Sequence, residues 1–273
     1  MAHLAAPPVE PIRPGQPPVA ILIDYDGTIA LTDVSDTILA EHVPGAWEEL
    51  AAAYDAGRIG SRRLMEAEMA LIRVHDEGAA IRATAAAQPH DPGFAPFVRR
   101  ARAAGIPVEV VSDGLGFFIR PALERLGVPE LPVITATTTF RDGGARITFP
   151  NGHPRCLVCG TCKRERVLAQ QRAGRAVVFI GDGESDRYAA GYADVIFAKR
   201  ALVPICIAAG WPFHRWTEFA EIEQWLALSL EAWGAGDRTR SIPGPTAKPL
   251  FCGPEVWGDG AIDPPPEAWT PGA

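Results

Sequence analysis

The chain has 273 residues, 47% of them hydrophobic, with a net charge of -7 and a pI near 5.4. That acidity argues against a nucleic-acid binder, which would carry a basic patch, and no apolar run reaches the 18 or so residues that suggest a membrane span. The length suffices for one well-cored domain with an insertion.

Residues 1–17 are rich in Pro and Ala and read as a disordered lead-in. They lack the charged start and apolar stretch of a secretory signal, so a cytoplasmic protein with reduced cysteines is expected. Val19-Ala20-Ile21-Leu22-Ile23 then predicts a buried strand, ending in Asp24-Tyr25-Asp26-Gly27-Thr28. Between Asp33 and Gln88 apolar residues recur at helical spacing, broken at Pro44-Gly45 and at residues 57–60, which predicts a small helical insert. Residues 94–104 and 117–126 predict helices closed by Gly105 and Gly127. Between them, Val108-Glu109-Val110-Val111 predicts a strand with Ser112-Asp113-Gly114 at its end.

Residues 133–140 and 145–149 flank Arg141-Asp142-Gly143-Gly144, a β-hairpin signal. A helix is expected over 164–172, after Cys162-Lys163. A strand at 176–180 leads into Gly181-Asp182-Gly183-Glu184-Ser185-Asp186, a further strand spans 194–198, and a closing helix spans 218–228. Alternating strands and helices imply a parallel sheet covered on both faces, with ligands at the carboxyl ends of the strands. The motifs fall at those ends. The core is expected to comprise residues 18–32 and 91–232, the cap residues 33–90, and a Pro- and Gly-rich tail residues 233–273. Phe251, Trp257 and Trp269 in the tail could lie against the domain or a partner.

Carboxylates two apart on an extended strand point to opposite faces. After Asp24 the strand is ending, and Gly27 lets the chain turn so that Asp24 and Asp26 reach one ligand. Paired carboxylates there suit a cation, a nucleophile and a proton donor. The plainer alternatives are an N-cap for Asp24-Tyr25-Asp26, a helix cap for Ser112 or Asp113, and a surface helix residue for Lys163. Glu184 and Ser185 read as loop formers.

The order DxDGT, SDG, Lys and GDGxSD, with three of the four at strand ends, resembles the haloacid dehalogenase superfamily of phosphoryl-transfer enzymes over residues 19–228. The resemblance implies a Rossmann-like α/β core with an inserted helical cap and a small β-hairpin. It implies a phosphatase in which Asp24 attacks phosphorus to form an aspartyl-phosphate. Asp26 protonates the leaving oxygen and then activates water. Ser112, Asp113, Gly114 and Lys163 would bind the phosphate. Mg²⁺ would be held by Asp24, the Asp26 carbonyl and Asp182, with Asp186 binding or orienting a metal-bound water. Asp26 itself favours phosphomonoester hydrolysis over dehalogenation. The expected partner is a small phosphorylated metabolite, with no nucleic acid and no membrane; a homodimer is left open.

His153, Cys156, Cys159 and Cys162 stand three apart and could suggest zinc. Zinc sites usually draw ligand pairs from separated segments, which counts against it. Cys159-Gly160-Thr161-Cys162-Lys163 also resembles the C-G-x-C-K run of the methionine-salvage phosphatases that act on 2-hydroxy-3-keto-5-methylthiopentenyl-1-phosphate. That resemblance favours a salvage-type substrate, although Tyr25 replaces the usual Phe and the tail is extra. Cys206 and Cys252 show no partner spacing. In the cap, Trp47, Tyr54, Met65, Met69, Arg58, Arg62, Arg63 and His75 are candidates to read the leaving group, the apolar ones doubling as bundle core. The acidic residue and downstream arginine of phosphoserine phosphatases match loosely, with Asp33 and Asp36 the only early acids, and that enzyme is the runner-up. A metabolite-binding protein with a decayed site and a zinc-stabilised interaction module are the non-enzyme alternatives.

Overall fold

The computed structural model describes residues 5–76, 78–153 and 158–234. Its centre is β1, Val19–Ile23, in which all five residues are buried, as an aliphatic run in mid-sheet must be. β1 pairs in parallel with β2 (Val108–Leu115) on one side and β5 (Ala176–Gly181) on the other. Outward from β2 lie β3 (Val133–Arg141) and the antiparallel β4 (Gly144–Thr148). Outward from β5 lie β6 (Val195–Ala198) and the two-residue β7 (His214–Arg215). The order is β4-β3-β2-β1-β5-β6-β7, parallel except at β4.

Four helices follow β1: α1 (Val34–His42), α2 (Glu48–Asp55), α3 (Ser61–Leu71) and α4 (Ala79–Ala86). The chain then returns through α5 (Phe94–Ala103) to β2. α6 (Gly116–Arg125) links β2 to β3, α7 (Lys163–Arg172) precedes β5, and α8 (Arg187–Tyr192), α9 (Leu202–Ala208) and α10 (Phe219–Gly234) complete the fold. This is the expected α/β core with a helical segment inserted after the first strand and a small hairpin. The hairpin turn has both central residues at positive φ, Asp142 at 53° and Gly143 at 75°, the twist that suits a two-residue connection.

Two apolar layers sandwich the sheet. Ile21, Ile23, Val108, Val110, Val178 and Ile180 point to the side that carries α5, α6 and α10. Leu22, Val111, Val177, Phe179 and Ile196 face the other layer with Val167, Ala189, Leu202 and Cys206. The insert is tied to the core at several points. The Val74 N–H donates to the Gly143 carbonyl of the hairpin, and Arg82 lies over the rings of Phe117 and Phe140.

Some boundaries differ from the sequence expectation. β2 does not stop at Val111 but runs on through Ser112-Asp113-Gly114 to Leu115, because its register against β3 shifts between Val111 and Leu115. Such a bulge keeps the strand paired while re-aiming side chains. α8, α9 and β7 were not anticipated; α8 and α9 are short, and β7 is too brief to leave a pattern. Residues 5–17 form no helix or strand, yet they are tied down. The Ala6 N–H donates to Asn151 Oδ1 (2.6 Å), and the carbonyls of Pro7 and Glu10 accept from Arg166 (2.8 Å) and Arg175 (2.7 Å). Cys156, Cys252, Phe251, Trp257 and Trp269 lie outside the described residues.

Candidate active site

Because β2, β1 and β5 are neighbours, their carboxyl ends bring the three motifs together, and the N-terminus of α7 adds Lys163. Asp24 directly follows β1 and is held by its own N–H, which donates to the Ile180 carbonyl (2.9 Å). Its carboxylate is buried, with Oδ1 2.8 Å from Lys163 Nζ. Nζ also reaches Asp186 Oδ1 at 2.7 Å and Ser185 Oγ at 3.0 Å. Lys163 is 2% exposed. Burial opposes its charge, but Asp186 and Asp24 outweigh that and push the amine well above its ordinary range, so it stays protonated.

Asp186 serves as a pin. Its Oδ2 accepts from the N–H groups of Asp182 (2.9 Å) and Gly183 (3.0 Å), closing the turn after β5, while Oδ1 holds the lysine. Asp182 Oδ1 accepts from Thr28 Oγ1 (3.2 Å), and Oδ2 lies 3.4 Å from Arg200 Nη1. Gly27 has φ 65°, and a Cβ there would collide with Asp182 Oδ2. Glycine at this position is therefore required both by the left-handed turn and by the approach of the carboxylate. Asp26 Oδ1 accepts from the Val34 N–H (2.9 Å) at the start of α1, and Oδ2 lies against Gly114, where a Cβ would strike it.

Burial and the neighbouring Asp33 push the Asp26 carboxyl well above the usual range. Burial and Asp186 push Asp24 up to about 8 and Asp182 to about 6. One oxygen from each of Asp24, Asp182 and Asp186 lies within 4.8 Å of the other two. Three hard oxygen donors gathered against their mutual repulsion, with Asp24 Oδ1 accepting no aligned hydrogen bond, fit a divalent cation such as Mg²⁺. The Asp26 carboxylate is outside that group. Among the described residues no other such group occurs. Cys159, Cys162 and Cys206 belong to no such group, and the zinc reading of the His153 cluster rests partly on Cys156, outside those residues.

Ser112 is buried, and its Oγ accepts from the Gly114 N–H (2.9 Å). That N–H, expected to face phosphate, is therefore engaged, while the hydroxyl proton of Ser112 is left to donate. Asp113 corrects the expectation. Both its oxygens are taken, Oδ2 by Ser61 Oγ and Oδ1 by the Thr161 N–H, each at 2.6 Å. It joins β2 to α3 and to the loop before α7, and offers phosphate no donor.

Above the strand ends lies a cavity of about 200 Å³, roofed by the insert through Tyr54, Ser61, Leu64, Met65 and Glu68. Of the anticipated cap residues only Tyr54 and Met65 line it. Trp47 and Met69 pack in the apolar core, Arg62 sits over Phe149 and near Glu66, and Arg58 and His75 are exposed; Arg63 does not line it. Sequence reasoning passed over Glu68 and Arg200, and gave Thr28 no role beyond its place in the motif. Glu68 was detectable as a charge on the Met65–Met69 face of α3, and Arg200 as a cation just beyond the carboxyl end of β6.

A family model described as haloacid dehalogenase-like hydrolase matches residues 21–191. A 2-hydroxy-3-keto-5-methylthiopentenyl-1-phosphate phosphatase of Geobacillus kaustophilus is 29% identical over 206 residues, covering 75% of this chain and 93% of the relative. One of Lysinibacillus sphaericus is 29% identical over 192 residues, covering 68% and 84%. Among solved structures, a phospho-aspartyl intermediate analogue of phosphoserine phosphatase superposes with TM-score 0.58 at 17% identity, covering 77% of this chain and 99% of that one.

Proposed function

The chain belongs to the haloacid dehalogenase-like hydrolases and is a phosphoric monoester hydrolase, and from that premise we propose how its residues divide the work. Asp24 attacks phosphorus in line. The bond from phosphorus to the ester oxygen breaks, and Asp26 gives that oxygen its proton. Asp26, now a carboxylate, takes a proton from water, which attacks the aspartyl-phosphate and releases inorganic phosphate and free Asp24. Two displacements replace one difficult step. Lys163 and the Ser112 hydroxyl meet the negative charge that spreads over the phosphoryl oxygens. Asp186 keeps the lysine in place.

Asp24, the Asp26 carbonyl and Asp182 would hold Mg²⁺, with Asp186 beside them. When bound, the ion supplies positive charge against the phosphoryl oxygens. Residues 33–90 act as the cap that excludes water and reads the leaving group.

The observation that carries this reading is the convergence of Asp24, Asp182, Asp186 and Lys163 at the ends of adjoining elements beneath the insert. For substrate we infer a salvage-type ketose phosphate, the class named for the 29%-identical relatives. Every residue invoked comes from one chain, so a homodimer is not needed to complete the site.

The test is phosphate release from a panel of phosphomonoesters, including that ketose phosphate and phosphoserine, with and without Mg²⁺ and beside Asp24→Asn. Mg²⁺-dependent release lost in the variant supports the mechanism. Release that survives in pure Asp24→Asn protein refutes the nucleophile.

A further inference from the structure

The cavity has two unlike sides. At the strand ends, Asp24, Asp26 and Asp182 are engaged with Lys163, the Val34 N–H, Thr28 and Arg200. On the insert's side of the cavity stands Glu68. It is 4% exposed and lines the cavity on the same face of α3 as Ser61, Leu64 and Met65. Among the described residues its carboxylate takes no hydrogen bond or ion pair, although Glu66, on a different face of the same helix, pairs with Arg62. Its oxygens are not fully enclosed, so this unpaired carboxylate is open to whatever occupies the cavity. Burial and the like charges of Asp36 and Asp33, which line the same cavity, push Glu68 up to about 8.

Cations are scarce here. Arg200 is the one basic residue among those lining the cavity, and it is spent on Asp182 Oδ2 (3.4 Å) and the Leu31 carbonyl (2.7 Å). A leaving group that brought hydrogen-bond donors would give Glu68 the partners that the protein withholds. One that brought a carboxylate would add an anion to acids already crowded enough to hold their protons, and would find no cation left among the lining residues to pair with it.

We propose that Glu68 is a specificity-determining residue that, with Asp36 and Asp33, selects phosphomonoesters whose leaving group presents hydroxyl or ammonium donors and rejects those presenting a carboxylate. This rests on the phosphatase reading of the cleft and adds to it the chemistry of the leaving group. It also favours a hydroxylated ketose phosphate over phosphoserine, whose ammonium is welcome and whose carboxylate is not.

The experiment measures kcat/KM for matched pairs: phosphoethanolamine against phosphoserine, and glycerol phosphate against phosphoglycerate. Each pair contrasts a leaving group with and without a carboxylate, and the two pairs separate ammonium from hydroxyl recognition. The wild type is expected to favour the carboxylate-free member of at least one pair by about tenfold or more, as hydrogen bonds to a charged group allow. In Glu68→Gln that ratio should shrink about tenfold. Ratios near one in the wild type overturn the inference whether or not the variant folds, and so do ratios that the folded Gln variant leaves unchanged. p-Nitrophenyl phosphate, which has neither donor nor carboxylate, monitors the parent reading. Its turnover with flat ratios sinks the role of Glu68 alone, whereas silence with every ester overturns the phosphatase reading and the inference with it.

Discussion

Arg166→Met is expected to destabilise the protein strongly although it touches no substrate. Arg166 sits on the buried face of α7, one turn beyond Lys163, and grips Glu109 of β2 by two contacts of 2.5 Å, Nε to Oε2 and Nη2 to Oε1. The side chains are 8% and 7% exposed. Gln170 adds one donor to Oε1 at 2.9 Å, and Arg166 Nη1 reaches the Pro7 carbonyl. Methionine keeps much of the volume but leaves the Glu109 carboxylate in an apolar wall with a single amide donor. Removing one partner of such a pair costs about 3–5 kcal/mol. At about 2–4 °C per kcal/mol for a domain of this size, Tm should fall by roughly 6–20 °C. The double variant Arg166→Met/Glu109→Leu removes both charges and should recover most of the loss. Urea titration with a constant slope, beside calorimetry, gives the free energies. A single-variant loss under about 1 kcal/mol, or a double variant no more stable than the single, would refute the uncompensated-carboxylate reasoning. Because this pair seats the helix that carries Lys163, turnover of the double variant also reports how much of the lysine's placement depends on it.

Lys163→Met should lower kcat by about 10²–10³ while near-ultraviolet circular dichroism stays native, since it removes one fixed charge from the transition state; a loss under tenfold would remove the lysine from that role. Gly27→Ala should cost at least about 1–2 kcal/mol from the left-handed backbone alone and more from displacing Asp182, so activity and Mg²⁺ response should fall together, and a fully active variant would contradict the turn geometry. Glu68, raised from 4.5 to about 8, keeps a proton in the folded state that the unfolded chain releases, so its contribution lowers stability as pH rises from about 4.5 to 8. Glu68→Gln should lack that slope and be more stable than the wild type at pH 9 by on the order of 2–5 kcal/mol, as chemical denaturation across pH without Mg²⁺ would measure; parallel curves for the two proteins would refute the burial of its charge.

The order of aliphatic runs and punctuating glycines by itself determined the alternation of strands and helices, the helical insert after β1 and the Asp-Gly hairpin. Those features are local: periodicity, capping and turn chemistry act over a few residues. It likewise marked the paired Asp24 and Asp26 at a strand end, whereas Ser112, Lys163, Asp182 and Asp186 were marked by the resemblance of the motif order to a known superfamily. Only the tertiary structure decided that β2, β1 and β5 are neighbours, since strand order follows from packing and crossover connections over long separations. It tied both oxygens of Asp113 to Ser61 and the Thr161 N–H, an engagement that spacing alone leaves undetermined. It also gave Asp186 to the lysine and the backbone. Glu68 lies 42 residues beyond Asp26, and its meaning depends on which face of α3 closes over the strand ends, a matter settled by the burial of Met65 and Met69 against the core.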